Sequence, residues 1–335
     1  MDEIIYTILN DSSILVLFSI IGVSLYILGK GADILVNEAV GLSIRWGISK
    51  MVIGATIVSL GTTLPEVTVS VLAAIKGNPD LALGNAIGSI IANTGLIIGI
   101  AALVGTLSID KDTINRQGNL QLISGILLAI ASLPFLSKGP EGRITQWMGF
   151  IFIGLLILYI VGTIYWARKF NGEIASEIEG EESSLPLQLI KLVLGVALVI
   201  FSSKILIPSV EITAIRIGIP QSVIAATLVA FGTSLPELVT AITAVKKGHG
   251  ELAVGNIIGA DILNVLFVTG SAAAVTKEGL LVPSNFYKLQ IPTMLIILVA
   301  FHIFAKNKNQ VITKLEGVFL AGMYIVYLVL NYIWI

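Results

Sequence analysis

Two segments of this 335-residue chain are near copies of each other. The first starts at Gly54 and reads GATIVSLGTTLPEVTVSVLAAIKGNPDLALGNAIGSIIANTGLIIG; the second starts at Ala225 and reads AATLVAFGTSLPELVTAITAVKKGHGELAVGNIIGADILNVLFVTG. They align without a gap at a constant offset of 171 residues, about half the chain. Each copy places one glutamate in a stretch that is otherwise apolar enough to lie in a bilayer. Any fold for this chain must therefore accommodate a duplicated, buried acid.

The composition indicates that lipid surrounds most of the chain. Hydrophobic residues make up 56% of the sequence and charged residues only 12%, and many segments approach the ~20 apolar residues that cross a bilayer. We predict an all-α polytopic protein of the cell membrane with about ten transmembrane helices. They are centred near residues 13–40, 50–75, 81–106, 117–136, 145–168, 187–215, 219–245, 251–275, 286–305 and 311–333.

The predicted spans fall into two halves of five. We assign residues 1–170 to the first repeat, 171–186 to an acidic cytoplasmic linker and 187–335 to the second repeat. An odd number of spans per half makes the second copy enter the membrane from the opposite side, so the repeats are predicted to be inverted. The linker carries five glutamates without the alternating spacing of a calcium loop, which favours a solvated connector over a calcium sensor.

Charge placement predicts the orientation of the chain. The loops after the odd-numbered spans hold about twice as many lysines and arginines as the loops on the other side. Both termini are therefore expected to be extracellular. The chain begins with Met1, Asp2 and Glu3, which are acidic where a cleavable signal peptide would be basic, so the first helix is expected to be retained.

The motifs GTTLPE at residues 61–66 and GTSLPE at residues 232–237 predict broken helices at the midplane in spans 2 and 7. Proline lacks an N–H and clashes with the carbonyl four residues earlier, which leaves backbone oxygens without donors. In hydrocarbon such backbone is tolerated only beside protein or a watery cavity, and a bound cation would satisfy it. The carbonyls concerned lie near Ser59, Thr62, Ala230 and Thr233.

Oxygen-bearing side chains are concentrated in and after these motifs. Thr62 and Glu66 are four residues apart, as are Thr233 and Glu237, which predicts that each pair shares a helix face. A set of oxygens without histidine or thiol favours hard cations such as calcium and sodium over zinc, copper or iron. The following spans add Asn85, Ser89 and Asn93 in the first copy and Asn256, Asp261 and Asn264 in the second.

The two glutamates are the strongest functional candidates. An acid at mid-membrane costs ~3 kcal/mol or more, and two at equivalent positions double that cost unless they are used. Asp261, which aligns with Ile90, is compatible with a cation pathway and with a structural pair. Asn85 and Asn256 are compatible with ligation and with helix–helix hydrogen bonding.

The motifs resemble the two alpha repeats of the sodium/calcium exchangers, a family of the cation/calcium antiporter superfamily with archaeal and prokaryotic members. The resemblance covers about 90 residues closely, and the five-plus-five layout extends it over the whole chain. It implies that Glu66 and Glu237 bind calcium, assisted by Thr62 and Thr233. It also implies overlapping sodium positions at Ser59, Ala230, Thr63, Ser234, Ser89 and Asn93.

The expected activity is the exchange of several sodium ions for one calcium ion by alternating access, normally extruding calcium. The resemblance further implies that the first helix of each half slides across the remaining bundle. Three positions depart from the family, which often has serine at Ala260, asparagine at Asp261 and aspartate at Asn264. Three acids are retained, so Asp261 and Asn264 stay among the expected metal-site residues, while the coupling ratio and a dependence on potassium stay open.

The sequence favours a carrier over an enzyme. It contains no cysteine, Walker A motif, haem attachment sequence or evident nucleophile–base pair, and a net charge of −1 offers no basic surface for nucleic acid. No cofactor and no obligate protein partner are indicated; the expected partners are calcium, sodium and the bilayer. The alternatives are a proton/calcium antiporter, in which the same glutamates titrate, and a cation channel, which inverted repeats with broken helices disfavour.

Overall fold

Membrane-length helices make up most of the structure. The computed structural model describes residues 2–136, 141–170, 184–218 and 232–334. Up to eight spans of membrane length and composition occur in these residues, if one bent pair is counted as a single span. They are Ile14–Trp46, Lys50–Thr62 with Leu64–Ile75, Pro79–Val104, Gln146–Ala167, Leu185–Arg216, Gly250–Ala274, Phe286–Ala305 and Lys314–Ile333. The all-α polytopic fold predicted from the sequence is confirmed.

Two further predicted spans have helical counterparts. The fourth corresponds to three continuous segments, Lys111–Thr113, Ile114–Gly118 and Asn119–Ala131. The seventh is represented by the helix Leu235–Lys246, and its first part lies outside the described residues, as does most of the predicted linker. A short helix that the sequence analysis did not predict, Asp2–Asp11, precedes the first span and packs against the sixth.

The first and sixth spans, Ile14–Trp46 and Leu185–Arg216, are the longest helices, and each is the main packing partner of the other. Small residues allow this close approach. A Cβ at Gly195 would lie 2.8 Å from the backbone nitrogen of Leu35, and a Cβ at Gly31 would lie 2.8 Å from a side chain of the sixth span. The two long helices therefore form a tight pair that lies against the other spans.

Within the described residues, two short antiparallel strand pairs connect the halves. Strand β1, Leu107–Ser108, pairs with β4, Val311–Ile312, and strand β2, Arg143–Ile144, pairs with β3, Leu280–Leu281. In each pair one strand belongs to the first half and the other to the second. The two pairs are equivalent under the repeat, because β1 and β3 follow the third and eighth spans while β2 and β4 precede the fifth and tenth.

π-Helical turns interrupt several spans at related positions. Ala92–Ile97 lies in the third span and Asn264–Thr269 in the eighth, so Asn93 and Asn264 both lie at the start of a widened turn. Such turns are rare in proteins as a whole, and those that occur often lie at functional sites. Equivalent turns also occur in the fourth span and at the start of the ninth, at Ile114–Gly118 and Phe286–Gln290.

The second span contains a further π-helical turn, Gly54–Val58, which packs directly on the eighth span. The hydroxyl of Tyr159 donates to the carbonyl of Ala55 at 2.8 Å and so satisfies an oxygen in this turn. Across the contact, a Cβ at Gly259 would lie 2.4 Å from the same carbonyl and 2.5 Å from the hydroxyl oxygen of Ser59. The second and eighth spans are therefore in backbone contact beside the first motif.

Candidate cation site

The first motif breaks the second span at Thr63. The segments Lys50–Thr62 and Leu64–Ile75 meet there at an angle of 46°. Pro65 lies in the first turn of the second segment, where its missing N–H would have no intrahelical acceptor, and Glu66 follows it in the same turn. A carboxylate there is favoured by the positive end of the helix dipole. The predicted break in this span is confirmed.

The second motif repeats this arrangement. The helix Leu235–Lys246 starts just after Ser234, with a proline and Glu237 in its first turn. Glu66 and Glu237 are each 1% exposed, and Thr63, three residues before Glu66, contacts the carboxylate of Glu237. The two carboxylates therefore converge from equivalent positions of the two halves.

Hydroxyl groups cross between the halves at this point. Thr63 of the first half donates from Oγ1 to Oε1 of Glu237 at 3.5 Å. In the reciprocal direction, the hydroxyls of Thr233 and Ser234 lie beside Glu66. Each acid therefore has the hydroxyls of the opposite repeat beside it, and neither half alone forms a complete site.

Two asparagines bridge the same interface. The hydroxyl of Thr62 donates to Oδ1 of Asn256 at 3.4 Å, and that of Thr233 donates to Oδ1 of Asn85 at 3.1 Å. Asn85 also donates from Nδ2 to the hydroxyl of Ser70 at 2.9 Å and to the backbone oxygen of the first glutamate at 3.2 Å. The structure thus places both asparagines in hydrogen bonds between helices, one of the two roles that the sequence allowed.

The structure shows the hydroxyl of Thr62 in contact with the other half of the chain, and no hydrogen bond from it to the carboxylate of Glu66. Thr62 ends one segment and Glu66 lies in the first turn of the next, with the break at Thr63 between them. Residues four apart are neighbours only within an uninterrupted helix. The break therefore directs Thr62 toward Asn256 of the other half.

Several buried side-chain atoms around the glutamates have no hydrogen-bond partner within the described part of the chain. The helix of Glu66 packs on the π-turn that begins at Asn264, and the helix of Glu237 packs on the π-turn that contains Asn93. Leaving a buried polar group unpaired costs ~1–3 kcal/mol, so such a group indicates a partner, water or an ion, that the protein itself does not supply. The unpaired oxygens are Oε1 and Oε2 of Glu66, Oε2 of Glu237, Oγ of Ser234 and Oδ1 of Asn93 and Asn264.

These atoms are carboxylate, hydroxyl and amide oxygens, which are the ligands that calcium and sodium prefer. Among the described residues no group of three or more histidine, cysteine, aspartate or glutamate side chains is arranged to hold a metal. The glutamate pair thus lies among neutral oxygens, and a third buried carboxylate, that of Asp261, contacts Asn93 at the edge of this group.

Three other predicted residues have different outcomes. Ser59 is fully buried, but its carbonyl is not without a donor as the sequence suggested, because it accepts from the backbone nitrogen of Thr63 at 2.9 Å. The break begins only after this turn, so the regular helical bond to Ser59 survives. Ser89 is 3% exposed and lies one turn before Asn93 in the third span. Ala230 lies outside the described residues.

Asp261 is held by three side chains of the first half. Nδ2 of Asn93 donates to its Oδ1 at 3.2 Å, Nε2 of Gln121 donates to its Oδ2 at 2.7 Å, and the hydroxyl of Thr94 donates to the same Oδ2. Thr94 and Gln121 were not among the site residues predicted from the sequence. A glutamine in the apolar fourth span is a usable signal, because a polar side chain inside a bundle needs a buried partner.

Known proteins share this architecture. The family model described as "Sodium/calcium exchanger protein" matches residues 16–165 and 187–333. The inner membrane protein YrbG of Escherichia coli is 33% identical over 317 residues, which cover 92% of this chain and 95% of YrbG. The sodium/calcium exchanger MaX1 of Methanosarcina acetivorans is 29% identical over 93% of this chain and 97% of its own. The solved sodium-calcium exchanger NCX_Mj, soaked with sodium and strontium, matches with a TM-score of 0.78 at 26% identity, covering 94% of this chain and 98% of that chain.

The fold and the site together define a class of protein, the membrane carriers built from inverted repeats with paired polar groups at broken helices. Such proteins are transporters rather than enzymes. The chain belongs to the sodium/calcium exchanger family. It is therefore a multi-pass membrane antiporter of the cation/calcium type, and the family resemblance seen in the sequence is confirmed.

Proposed function

We propose that this protein exchanges sodium for calcium across the cell membrane by alternating access and normally extrudes calcium. The observation that carries the proposal is the pair of buried carboxylates, Glu66 and Glu237, which converge from the two halves and retain unpaired oxygens. Carboxylates in that state favour a bound cation. The calcium and sodium positions around them are assigned to Thr62, Thr63, Thr233, Ser234, Ser59, Ala230, Ser89, Asn93 and Asn264.

Competition for the two acids supplies the coupling. Several sodium ions and one calcium ion cannot be ligated by the same few oxygens at once, because each ion needs a nearly complete ligand set in place of water. A site filled with either set has its charge balanced and can change the side to which it opens. An empty pair of carboxylates in a low-dielectric bundle opposes that change, since it is desolvated without compensation.

Calcium flux in proteoliposomes tests this proposal. With sodium inside and calcium outside, we expect saturable calcium uptake that stops when sodium is removed from the vesicle. Gradients of sodium, potassium and protons are then imposed one at a time. Uptake driven by sodium without potassium supports the proposal. Flux driven by pH alone would instead establish a proton/calcium antiporter, and flux without any counter-ion would establish a channel.

The proton alternative has one specific observation in its favour. Glu66 and Glu237 are buried, and neither carboxylate forms an ion pair within the described part of the chain. A carboxyl group binds either a cation or a proton, so the same pair is chemically suited to proton exchange. The arm of the flux experiment that imposes only a pH gradient decides between the two coupling ions.

We further propose that both termini are extracellular, on the basis of the lysine and arginine distribution. The chain has no cysteine, so a single introduced cysteine is the only thiol of this protein that a maleimide can label. Asn309 and Lys277 are exposed and lie in loops predicted on opposite sides. In intact cells, a membrane-impermeant maleimide is expected to label Lys277→Cys and not Asn309→Cys. The reverse pattern would invert the proposed orientation.

A further inference from the structure

We infer that Asp261 is a positioning residue: its carboxylate fixes the amide of Asn93 so that the amide oxygen faces the transported ions. This inference rests on the proposed function, in which Asn93 is an ion ligand. Asp261 is 1% exposed and Asn93 is fully buried, and they come from opposite halves of the chain. In this inference Asp261 acts on the ions through the amide of Asn93, which it contacts directly.

The chemistry of the two groups sets the orientation of the amide. An ionised carboxylate only accepts hydrogen bonds, whereas an asparagine amide has a donating nitrogen on one side and an accepting oxygen on the other. Asn93 directs Nδ2 to Oδ1 of Asp261 at 3.2 Å. Its Oδ1 consequently points away and is one of the buried oxygens without a partner. An oxygen held in that way is a ready cation ligand.

Two further donors explain why position 261 requires a carboxylate. Gln121 and Thr94 both donate to Oδ2, and Gln121 also donates to the hydroxyl of Thr94 at 3.4 Å. The three side chains thus present donors to both carboxylate oxygens. An amide at this position would have only one oxygen, and with that oxygen facing Gln121 and Thr94 its nitrogen would face Asn93. Asn93 would then turn its own nitrogen toward the cations.

The equivalent place in the other repeat shows what happens without this network. At the offset of 171 residues, Asp261, Thr94 and Gln121 correspond to Ile90, Val265 and Pro292, all of them apolar. The helix of Ile90 packs on the π-turn that begins at Asn264. There both Oδ1 and Nδ2 of Asn264 lack a partner among the described residues. Only one of the two equivalent asparagines therefore has its amide orientation fixed.

A double-mutant cycle tests the inference through calcium binding to the purified protein in sodium-free detergent, measured by calorimetry. Asp261→Asn alone is expected to raise the Kd about 10- to 100-fold, the usual effect of losing a group that orients a ligand. In an Asn93→Ala background the same substitution is expected to change the Kd less than about twofold, because the residue that it orients is gone. In an Asn264→Ala background, the matched control, its full effect is expected to remain.

A second variant separates this effect from general destabilisation. Gln117 lies one turn before Gln121 and donates to the hydroxyl of Thr163 at 3.2 Å, away from Asp261. Gln117→Met is expected to lower the thermal unfolding midpoint while leaving the calcium Kd within about twofold. Equal losses from Asp261→Asn with and without Asn93 would overturn the inference and make the aspartate a ligand itself. A wild-type protein that bound no calcium would refute the proposed function as well.

Discussion

Replacement of either Glu66 or Glu237 by glutamine is expected to abolish sodium-driven calcium uptake. Glutamine keeps the size of the side chain but removes its charge and turns an N–H₂ group toward the cation. Removing one member of a buried, charge-balanced set costs ~3–5 kcal/mol, which corresponds to a loss of about 100-fold or more in calcium affinity. Uptake into sodium-loaded proteoliposomes is the measurement, with empty liposomes as background.

Glu251→Gln is the matched control for this experiment. Glu251 also lies in the first turn of a helix, Gly250–Leu263, but at the end of a span and partly exposed. Its variant is expected to transport like the wild type. Because the two site acids are related by the repeat, the two glutamine variants are expected to fail alike. Normal uptake by either one would remove the basis of the site assignment.

The second large effect is expected from Gly259→Ala. The added Cβ would lie 2.4 Å from the carbonyl oxygen of Ala55 and 2.5 Å from the hydroxyl oxygen of Ser59. A backbone carbonyl in a packed helix cannot yield cheaply, and overpacking of this kind costs ~1–3 kcal/mol. We expect a lower thermal unfolding midpoint in detergent together with a loss of transport, because the second and eighth spans must separate beside the first motif.

A glycine elsewhere in the bundle provides the comparison for this prediction. Gly154 lies in the fifth span, and apart from its own helix backbone none of the described atoms lies within 4 Å of the Cβ that alanine would add. Gly154→Ala is expected not to lower the unfolding midpoint, since alanine is the better helix former, and to leave the transport rate unchanged. If Gly259→Ala behaved in the same way, the close contact between the second and eighth spans would be wrong.

The sequence predicted the parts of this protein that depend on hydropathy and on the repeat. Apolar runs of membrane length predict helices because no other open structure satisfies the backbone in lipid. The motif around Pro65 predicted a break because proline cannot continue the helix, and the structure bends there by 46°. The convergence of Glu66 and Glu237 likewise agrees with the interpretation of a duplicated acid.

The side-chain contacts between the two repeats could not be predicted from hydropathy or from the repeat pattern. The spacing of Thr62 and Glu66 predicted a shared helix face within one segment. The fold instead forms hydrogen bonds from Thr62 to Asn256 and from Thr63 to Glu237, both in the other half. These pairs are 194 and 174 residues apart, and only the packing of the two halves determines them. The π-helical turns were missed for a related reason, because they arise from how neighbouring spans fit rather than from a local signal.

The strand pairs β1–β4 and β2–β3 have a consequence for how the two halves can be handled. Each pair joins a loop of one half to a loop of the other, so backbone hydrogen bonds link the two halves at two separate places. Because each strand pair takes one strand from each half, we expect that cutting the polypeptide between the halves would leave the two fragments associated.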